Sequence, residues 1–266
     1  MGIFGKKKEY QPVQGLLSMS KAIDYRVYIP SKKEKIVWFI AGMAVSGLVL
    51  YIFYESIIAS LIVGAALGYA FIPIRTKQII NKRKQRLTQQ FRGLLETLST
   101  SIGAGKNMFE SFAGAADDLK VRFSDDADIV KEVGIICSGL NNNIQIEELL
   151  LNFAARSDIE DIENFANVFA TCYLRGGNIK DVIKNTSLII GDKIEIQMEL
   201  ETMVAGQKNE MNILLVMPIL FILVMKSMGG GLIDLSSAVG VLSVTASLVI
   251  FLVAYFIGKK ITNIKL

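Results

Sequence analysis

Carboxylates are the residues of this sequence with the clearest capacity for chemistry. Residues 124–128 read SDDAD, and closely spaced carboxylate oxygens can bind a divalent cation. Acidic residues are also favoured in the first turn of any helix, because they complement the positive end of the helix dipole, and the sequence favours this helix-start interpretation over a metal site. We also predict that acidic side chains form a docking face for a basic partner. Its residues are Asp125, Asp126, Asp128, Glu147 and Glu148.

Other reactive groups are sparse. The sequence contains no histidine, which removes the commonest general base and the commonest transition-metal ligand. Cys137 and Cys172 are far apart, each within an amphipathic helical pattern, and are predicted to be reduced core thiols. The segment IGAGK (102–106) resembles part of a phosphate-binding loop but lacks its spacing and follows a helix. The sequence therefore predicts a protein without enzymatic activity, cofactor or metal.

Two apolar segments near the N-terminus, 36–54 and 56–74, are each long enough to cross a bilayer. Only Glu55 separates them, so we predict a helical hairpin that turns at Glu55; the alternative, one long helix, would bury this charge unpaired. Small residues in both spans allow the two helices to approach closely. These residues are Ala41, Gly42, Ser46, Gly47, Ala59, Gly64, Ala65 and Gly68.

A second apolar pair, 212–225 and 238–258, lies near the C-terminus and is joined by a glycine-rich connection. Pro218 is predicted to kink the first span of this pair, because proline frees a backbone carbonyl. Lys226 is predicted to snorkel, its charge reaching the interface while its stem stays in lipid. The pair is predicted to form a second transmembrane hairpin.

Lysine and arginine residues indicate the orientation of these spans. They precede the first span and follow the second and fourth, whereas the two short connections carry only Glu55, Lys226 and Asp234. The positive-inside rule then places both termini and residues 75–210 in the cytoplasm. These positions account for the net charge of +4 without a nucleic-acid partner. No apolar stretch precedes Ile36, so no signal peptide is expected.

Residues 75–210 contain no proline and repeat apolar residues at helical spacing, which predicts an all-helical domain. Its first and last helices are predicted to run unbroken into the adjacent spans. Predicted caps pair Asn107 with Glu110, Ser157 with Glu160 and Asn178 with Asp181, and glycines mark the turns. The turn residues are Gly103, Gly105, Asn107, Gly176, Gly177 and Asn178. The predicted helices are 75–103, 107–119, 125–140, 144–155, 158–175 and 178–217.

The predicted fold class is all-α, an integral membrane protein in which two transmembrane helical hairpins flank a cytoplasmic bundle of six helices. Residues 75–92 carry seven basic and no acidic residues, which lipid headgroups would neutralise, whereas residues 93–163 carry a net charge of −9. The predicted segments are a cytoplasmic N-terminal segment 1–35, hairpin 36–74, cytoplasmic domain 75–210, hairpin 211–258 and cytoplasmic tail 259–266.

Three segments resemble the type II secretion system F domain family. LLETLSTSIGAGKNMFESFAGAADDL (94–119) is similar to the start of that domain, with a leucine-spaced helix, a small-residue turn and an amphipathic helix. YLRGGNIKDVIKNTSLII (173–190) resembles its Gly-Gly turn and following helix. ELETMVAGQKNEMNILLVMPIL (199–220) resembles the helix that enters a proline-containing span. The resemblance covers residues 85–225, and the two-plus-two arrangement of spans fits the TadB-like branch of Tad/Flp pilus systems.

This resemblance implies a platform protein of the cytoplasmic (inner) membrane at the base of a type IV-like pilus. The implied partners are a hexameric TadA-like secretion ATPase, a TadC-like paralogue or a second copy of the chain, pilin subunits and the lipid bilayer. The acidic docking face would then receive the ATPase. Two alternative classes are a transporter or flippase subunit without its own ATPase, and a membrane-anchored signalling module. The spans carry no ionisable residue near mid-membrane, which disfavours a transporter, and signalling chemistry is absent from the sequence.

Overall fold

The computed structural model describes residues 22–54, 56–227 and 238–262. Every regular element within these ranges is an α-helix, which confirms the predicted all-α class. The helices of these ranges are α1 Lys32–Tyr54, α2 Ile57–Gly103, α3 Met108–Phe123, α4 Asp128–Asn141, α5 Ile146–Ser157, α6 Glu160–Arg175, α7 Ile179–Met203, α8 Ala205–Ser227 and α9 Ala238–Thr262.

Four helices among the described residues are long and apolar enough to cross a membrane, which indicates a membrane protein. They coincide with the four apolar segments predicted from the sequence. Glu55, the lysines before residue 22, residues 228–237 with Asp234, and the side chain of Lys226 lie outside the described residues. The candidate spans are Lys32–Tyr54, Ile57–Gly103, Ala205–Met225 and Gly240–Gly258.

The described chain divides into two compact units. The helical unit comprises residues 22–28 and 79–194, and the apolar unit comprises residues 29–78 and 195–262 with the gaps given above. The division therefore falls inside α2 and inside α7, and residues 22–28 belong to the helical unit although α1 separates them from the rest of it in sequence.

Within the apolar unit, α1 and α2 pack closely through glycine. A Cβ atom at Gly42 would lie 3.1 Å from the Cα of Gly68, and one at Gly64 would lie 3.2 Å from the Cα of Gly47. The Ser46 hydroxyl donates to the Gly42 carbonyl oxygen of its own helix at 2.6 Å and lies 3.3 Å from the carbonyl oxygen of Gly64 across this contact. The close approach predicted from the small residues of the two spans is thus confirmed. The later residue of α1, Gly47, meets the earlier residue of α2, Gly64, so the two helices are antiparallel.

Gly68→Ala is expected to destabilise this helix pair by about 1–3 kcal/mol, because overpacking forces the backbones apart. A Cβ at position 68 would lie 2.9 Å from the carbonyl oxygen of Phe39 and 3.0 Å from the backbone nitrogen of Met43, and neither atom can move alone. Gly47→Ala is the matched control, because its Cβ would meet the carbonyl oxygen of Ser60 at an ordinary 3.7 Å. Thermal unfolding of the full chain in detergent measures both variants. Equal melting temperatures for the two variants would contradict the prediction.

The predicted continuity of the first long helix is confirmed, and that of the last is wrong. Helix α2 runs from Ile57 through Pro73 to Gly103 without interruption. The predicted helix 178–217 is instead broken at Val204, between α7 and α8. The Val204 N–H still donates to the Leu200 carbonyl oxygen, so this is a local distortion of the helical path. No proline or capping residue marks this position, and the nearest residue of low helix preference is Gly206.

Pro218, the predicted kink, lies inside α8. The helix continues past it to Ser227, so the proline does not end the helix. The kink itself stays a prediction.

At the C-terminal end of α1, the hydroxyls of Tyr54 and Thr245 are 2.9 Å apart and share a hydrogen bond between α1 and α9.

The helical unit has one apolar core. Its α2 portion contributes buried residues at helical spacing, and helices α3 to α6 pack on one another in chain order. The ring of Phe91 lies 6.1 Å from that of Phe153 on α5 and 5.4 Å from that of Phe165 on α6, centroid to centroid. Helix α7 adds Ile183 and Ile190 to the same core. The buried α2 residues are Leu87, Phe91, Leu94, Leu95 and Leu98.

Two predicted helix caps are confirmed. The side-chain oxygen of Asn107 accepts from the Glu110 N–H at 2.8 Å, and the Glu110 carboxylate accepts from the Asn107 N–H at 3.4 Å, a complete capping box. The side-chain oxygen of Asn178 accepts from the Asp181 N–H at 3.4 Å. Each arrangement satisfies an N–H that the first turn of a helix leaves unpaired.

The predicted cap at Ser157 is wrong. Ser157 is the last residue of α5, and its hydroxyl donates to the carbonyl oxygen of Ala154. The N-cap of α6 is Ile159, which makes no side-chain capping bond. The reason is Asp158, whose left-handed conformation (φ 49°) reverses the chain and moves the start of α6 past Ser157.

Glycine occupies the turns where the sequence placed it. Gly103 is the last residue of α2, and Gly105 follows with φ 85°. Gly176 ends α6 with φ 73°, and the Gly177 N–H donates to the Cys172 carbonyl oxygen at 2.7 Å. Positive φ is strained for residues with a Cβ, so Gly105 and Gly176 are needed at these positions.

Candidate functional site

The predicted acidic face begins in the loop before α4. Asp125 and Asp126 are exposed, and the Asp126 side chain is fully accessible apart from a 3.5 Å ion pair with Lys131. Asp128 differs, because the Arg83 guanidinium donates to both of its carboxylate oxygens at 2.6 and 2.9 Å. Its side chain is only 14% exposed. Asp128 is therefore engaged inside the helical unit, whereas Asp125 and Asp126 are accessible to a partner.

Glu147 and Glu148 lie in the first turn of α5 and differ from each other in the same way. Glu148 is exposed, whereas Glu147 is buried and its Oε2 atom has no hydrogen-bond partner within the described part of the chain. Leu149 packs against Gly139 near the end of α4. Gly139 is eleven residues beyond Asp128, which is about 16 Å along the axis of α4. The five predicted residues thus form two separate acidic groups at opposite ends of α4.

No group of three or more His, Cys, Asp or Glu side chains that could hold a metal ion is found among residues 22–54, 56–227 and 238–262. Cys137 and Cys172 are free thiols in this structure. Burial raises the pKa of the Cys137 thiol, so it remains protonated at neutral pH.

The densest polar cluster of the helical unit was not predicted from the sequence. Glu132 of α4 is completely buried, and both of its carboxylate oxygens accept from the guanidinium of Arg156 on α5. The Tyr25 hydroxyl, 107 positions earlier in the chain, donates to the same carboxylate at 2.9 Å. Tyr25 itself is only 1% exposed. A buried ion pair is stable only when its remaining polar atoms are bonded, and Tyr25 completes that bonding.

Arg156 also holds the backbone of the N-terminal segment. Its guanidinium donates to the carbonyl oxygen of Ile23 at 3.0 Å, and its own carbonyl oxygen accepts from the Tyr25 N–H at 3.0 Å. The Arg83 guanidinium lies over the Tyr25 ring, 4.8 Å from its centroid. Residues 22–28 are therefore attached to three helices of the helical unit, α2 through Arg83 and α4 and α5 through the buried pair. We call these residues the N-terminal strap.

The environment of the cluster shifts its proton equilibria. Burial, followed by the nearby charge of Glu132, raises the pKa of the Tyr25 hydroxyl far above its ordinary value near 10. Burial is the largest single influence on Arg156 and would lower its pKa, but the hydrogen bond to Glu132 together with the charges of Glu132, Tyr25 and Asp24 raises the pKa above its ordinary value. The hydrogen bond with Asp128 likewise raises the pKa of Arg83. Tyr25 thus remains neutral and both arginines remain charged across the physiological range.

Above pH 10, the helical unit is expected to lose up to about 1.4 kcal/mol of stability per pH unit through Tyr25. The sign follows from the raised pKa: the unfolded chain releases the tyrosine proton near pH 10, whereas the folded chain retains it, so rising pH favours unfolding. Hydrogen exchange of α4 and α5 amides as a function of pH measures the loss. Tyr25→Phe is expected to lower neutral stability but flatten this alkaline decline, and Tyr173→Phe, at an exposed ring, is the control. An equally steep decline in Tyr25→Phe would refute the assignment.

The sequence did contain a signal for this cluster. Glu132 follows Ile129 by three residues and precedes Ile136 by four, so it lies on the same face of α4 as these buried residues. A charge therefore occupies the apolar face of α4. Arg156 follows Phe153 at helical spacing on the buried face of α5. Opposite charges on the inward faces of consecutive helices indicate a buried pair. The role of Tyr25 had no comparable signal, because its segment is irregular and remote in sequence.

Comparison with protein-family models, with curated proteins and with solved structures found no match.

Proposed function

We propose that this protein is a non-enzymatic platform of the cytoplasmic membrane that couples a cytoplasmic secretion ATPase to pilin extraction and fibre assembly in a Tad/Flp type IV-like pilus. The observation that carries the proposal is the order of elements along the chain. Two apolar helices precede a segment of helices with an apolar core, and two apolar helices follow it. The segments that resemble the type II secretion system F domain occur in the same order, between residues 85 and 225.

In this proposal the apolar helices form two transmembrane hairpins and the helical unit is a cytoplasmic bundle. The distribution of lysine and arginine supports cytoplasmic termini and a cytoplasmic position for residues 75–210. ATP hydrolysis by a TadA-like hexamer would move the helical unit. A TadC-like paralogue or a second copy would complete the platform, and pilins would leave the bilayer beside it.

Deletion of the gene tests the proposal directly. The expected result is loss of surface pili while prepilin processing continues, with pili restored by a plasmid copy of the full-length gene. Normal piliation in the deletion strain would reject the platform function. Uptake or lipid-translocation defects with intact pili would favour the transporter class instead.

Reversal of exposed acidic charge is expected to weaken co-purification of the ATPase at least about tenfold at low salt. Asp125→Lys/Asp126→Lys and Glu148→Lys are made as separate proteins, because the structure separates these positions. Asp128 and Glu147 are left intact, since the first is ion-paired and the second is buried. Glu195→Lys/Glu199→Lys, at exposed positions of α7, is the control. Unchanged binding by both test proteins would exclude these acidic groups as the ATPase contact.

A further inference from the structure

One end of the α1–α2 pair carries five exposed basic side chains. Helix α1 begins with a lysine-rich turn, and α2 leaves the apolar segment with an arginine followed by a lysine. These two runs are about forty residues apart in sequence, but the antiparallel packing of α1 and α2 returns the chain to the same level. The residues are Lys32, Lys33, Lys35, Arg75 and Lys77.

The glycine contacts give the register of this end. Gly42 of α1 meets Gly68 of α2. Lys35 lies seven residues before Gly42 and Arg75 lies seven residues after Gly68, so each is two helical turns from the contact. A step of seven residues changes direction by only about 20° on an α-helix. Lys35 and Arg75 are therefore level with each other, and both lie on the faces along which the two helices meet.

Lys32 belongs to the same face, because it precedes Lys35 by three residues. The first turn of α1 adds further positive potential, since the N-terminus of a helix carries the positive end of its dipole. Its capping box is complete: Ser31 Oγ accepts from the Glu34 N–H at 3.2 Å, and the Glu34 carboxylate accepts from the Ser31 N–H at 2.7 Å. Glu34 is thus the one acidic residue of this turn, and it is already used as a helix cap.

Among the described residues, no carboxylate forms an ion pair with the five basic side chains of this end. Three basic residues of the helical unit, Arg83, Lys84 and Lys193, are each paired with an aspartate. Its described contacts place the Arg75 guanidinium 3.2 Å from the Gln78 side-chain oxygen, to which it donates, and 5.6 Å from the centroid of the Phe71 ring. Like charges that face each other across two helices repel unless an anion lies between them.

We propose that Lys32, Lys35 and Arg75 bind the phosphate of an anionic phospholipid headgroup between the ends of α1 and α2, with Lys33 and Lys77 beside it. A lipid is favoured over free phosphate because apolar surface begins directly beside the cluster, at Ile36 on α1 and Ile74 on α2, both exposed. A headgroup phosphate bound by the cations would thus have its acyl chains along these residues. The proposal requires that α1 and α2 lie in a bilayer, and it is independent of the platform function.

Native mass spectrometry of the full chain, released from detergent with added phosphatidylglycerol or phosphatidylcholine of identical acyl chains, tests the proposal. The wild-type protein is expected to retain phosphatidylglycerol in preference to phosphatidylcholine. Each cation removed near a membrane surface weakens anionic-lipid affinity about fivefold. The affinity for phosphatidylglycerol is therefore expected to fall about fivefold in Arg75→Gln and about 100-fold in Lys32→Gln/Lys35→Gln/Arg75→Gln.

The control removes the same charges elsewhere. Lys106→Gln/Arg175→Gln/Lys184→Gln lies at exposed positions of the helical unit and is expected to leave phosphatidylglycerol retention unchanged. Equal losses in the two triple variants would overturn the site, as would equal retention of the two lipids by the wild type. Displacement of phosphatidylglycerol by inorganic phosphate at millimolar concentration would assign the cluster to a free anion and overturn the lipid assignment. Circular dichroism melting of each variant establishes that the comparison is made on folded protein.

Discussion

Arg156→Met is expected to lower the free energy of unfolding of the helical unit by about 3–5 kcal/mol. The substitution leaves the Glu132 carboxylate completely buried with only the Tyr25 hydroxyl as a partner. An uncompensated buried charge costs far more than the lost attraction of an exposed pair. The substitution also removes the guanidinium hydrogen bond to the Ile23 carbonyl oxygen, so the N-terminal strap is expected to detach. Hydrogen exchange of the α4 and α5 amides in the full chain measures the change.

The matched control for Arg156→Met is Lys120→Met, which breaks an exposed ion pair with Asp117. Solvent screens an exposed pair of this kind, so Lys120→Met is expected to leave the free energy of unfolding nearly unchanged. Glu132→Met/Arg156→Met removes both buried charges and is expected to recover most of the stability lost in Arg156→Met. If Arg156→Met were no less stable than Lys120→Met, the buried pair would not hold the strap to the helical unit.

Phe91→Ala is the second substitution with a large expected effect, a loss of about 3–5 kcal/mol. Phe91 is completely buried, and its ring contacts rings on both α5 and α6. Truncation leaves a cavity that surrounding helices cannot all fill, and it removes two aromatic contacts as well as buried apolar area. Chemical denaturation of the full chain, followed by near-ultraviolet circular dichroism, measures the loss.

Phe109→Ala is the control for this substitution. Phe109 is 41% exposed in the first turn of α3, so its removal creates no enclosed cavity. The expected loss is below about 1 kcal/mol, as for surface substitutions generally. Comparable losses at positions 91 and 109 would contradict the assignment of Phe91 to the centre of the core.

The elements predicted well from the sequence are those decided by local chemistry. Apolar periodicity and glycine or asparagine at turns located the helices between residues 75 and 175 and the start of α7, because helix starts and stops depend on neighbouring residues. The cap at Ser157 failed for a related reason. Serine and aspartate are both common at helix boundaries, so the residue types of Ser157 and Asp158 do not distinguish them. The left-handed backbone of Asp158 decides where α6 begins.

The accessibility of the site residues could not be predicted from the sequence, because it depends on contacts between distant segments. Asp125 and Asp128 have the same chemistry in the sequence, but Arg83, on another helix, engages only Asp128. Tyr25 lies in an irregular segment without periodicity, so its attachment to Glu132 becomes visible only once α4 and α5 are positioned. Sequence patterns locate charges, whereas tertiary structure decides which of them remain available.

The N-terminal strap makes the helical unit a discontinuous domain. Residues 22–28 are separated from residue 79 by the whole of α1 and the apolar part of α2, yet they supply a completely buried tyrosine to the domain. A fragment excised as residues 79–194 alone would therefore lack one of its own core residues. A soluble version for biochemical work is better made by fusing the 22–28 peptide to residue 79 through a flexible linker.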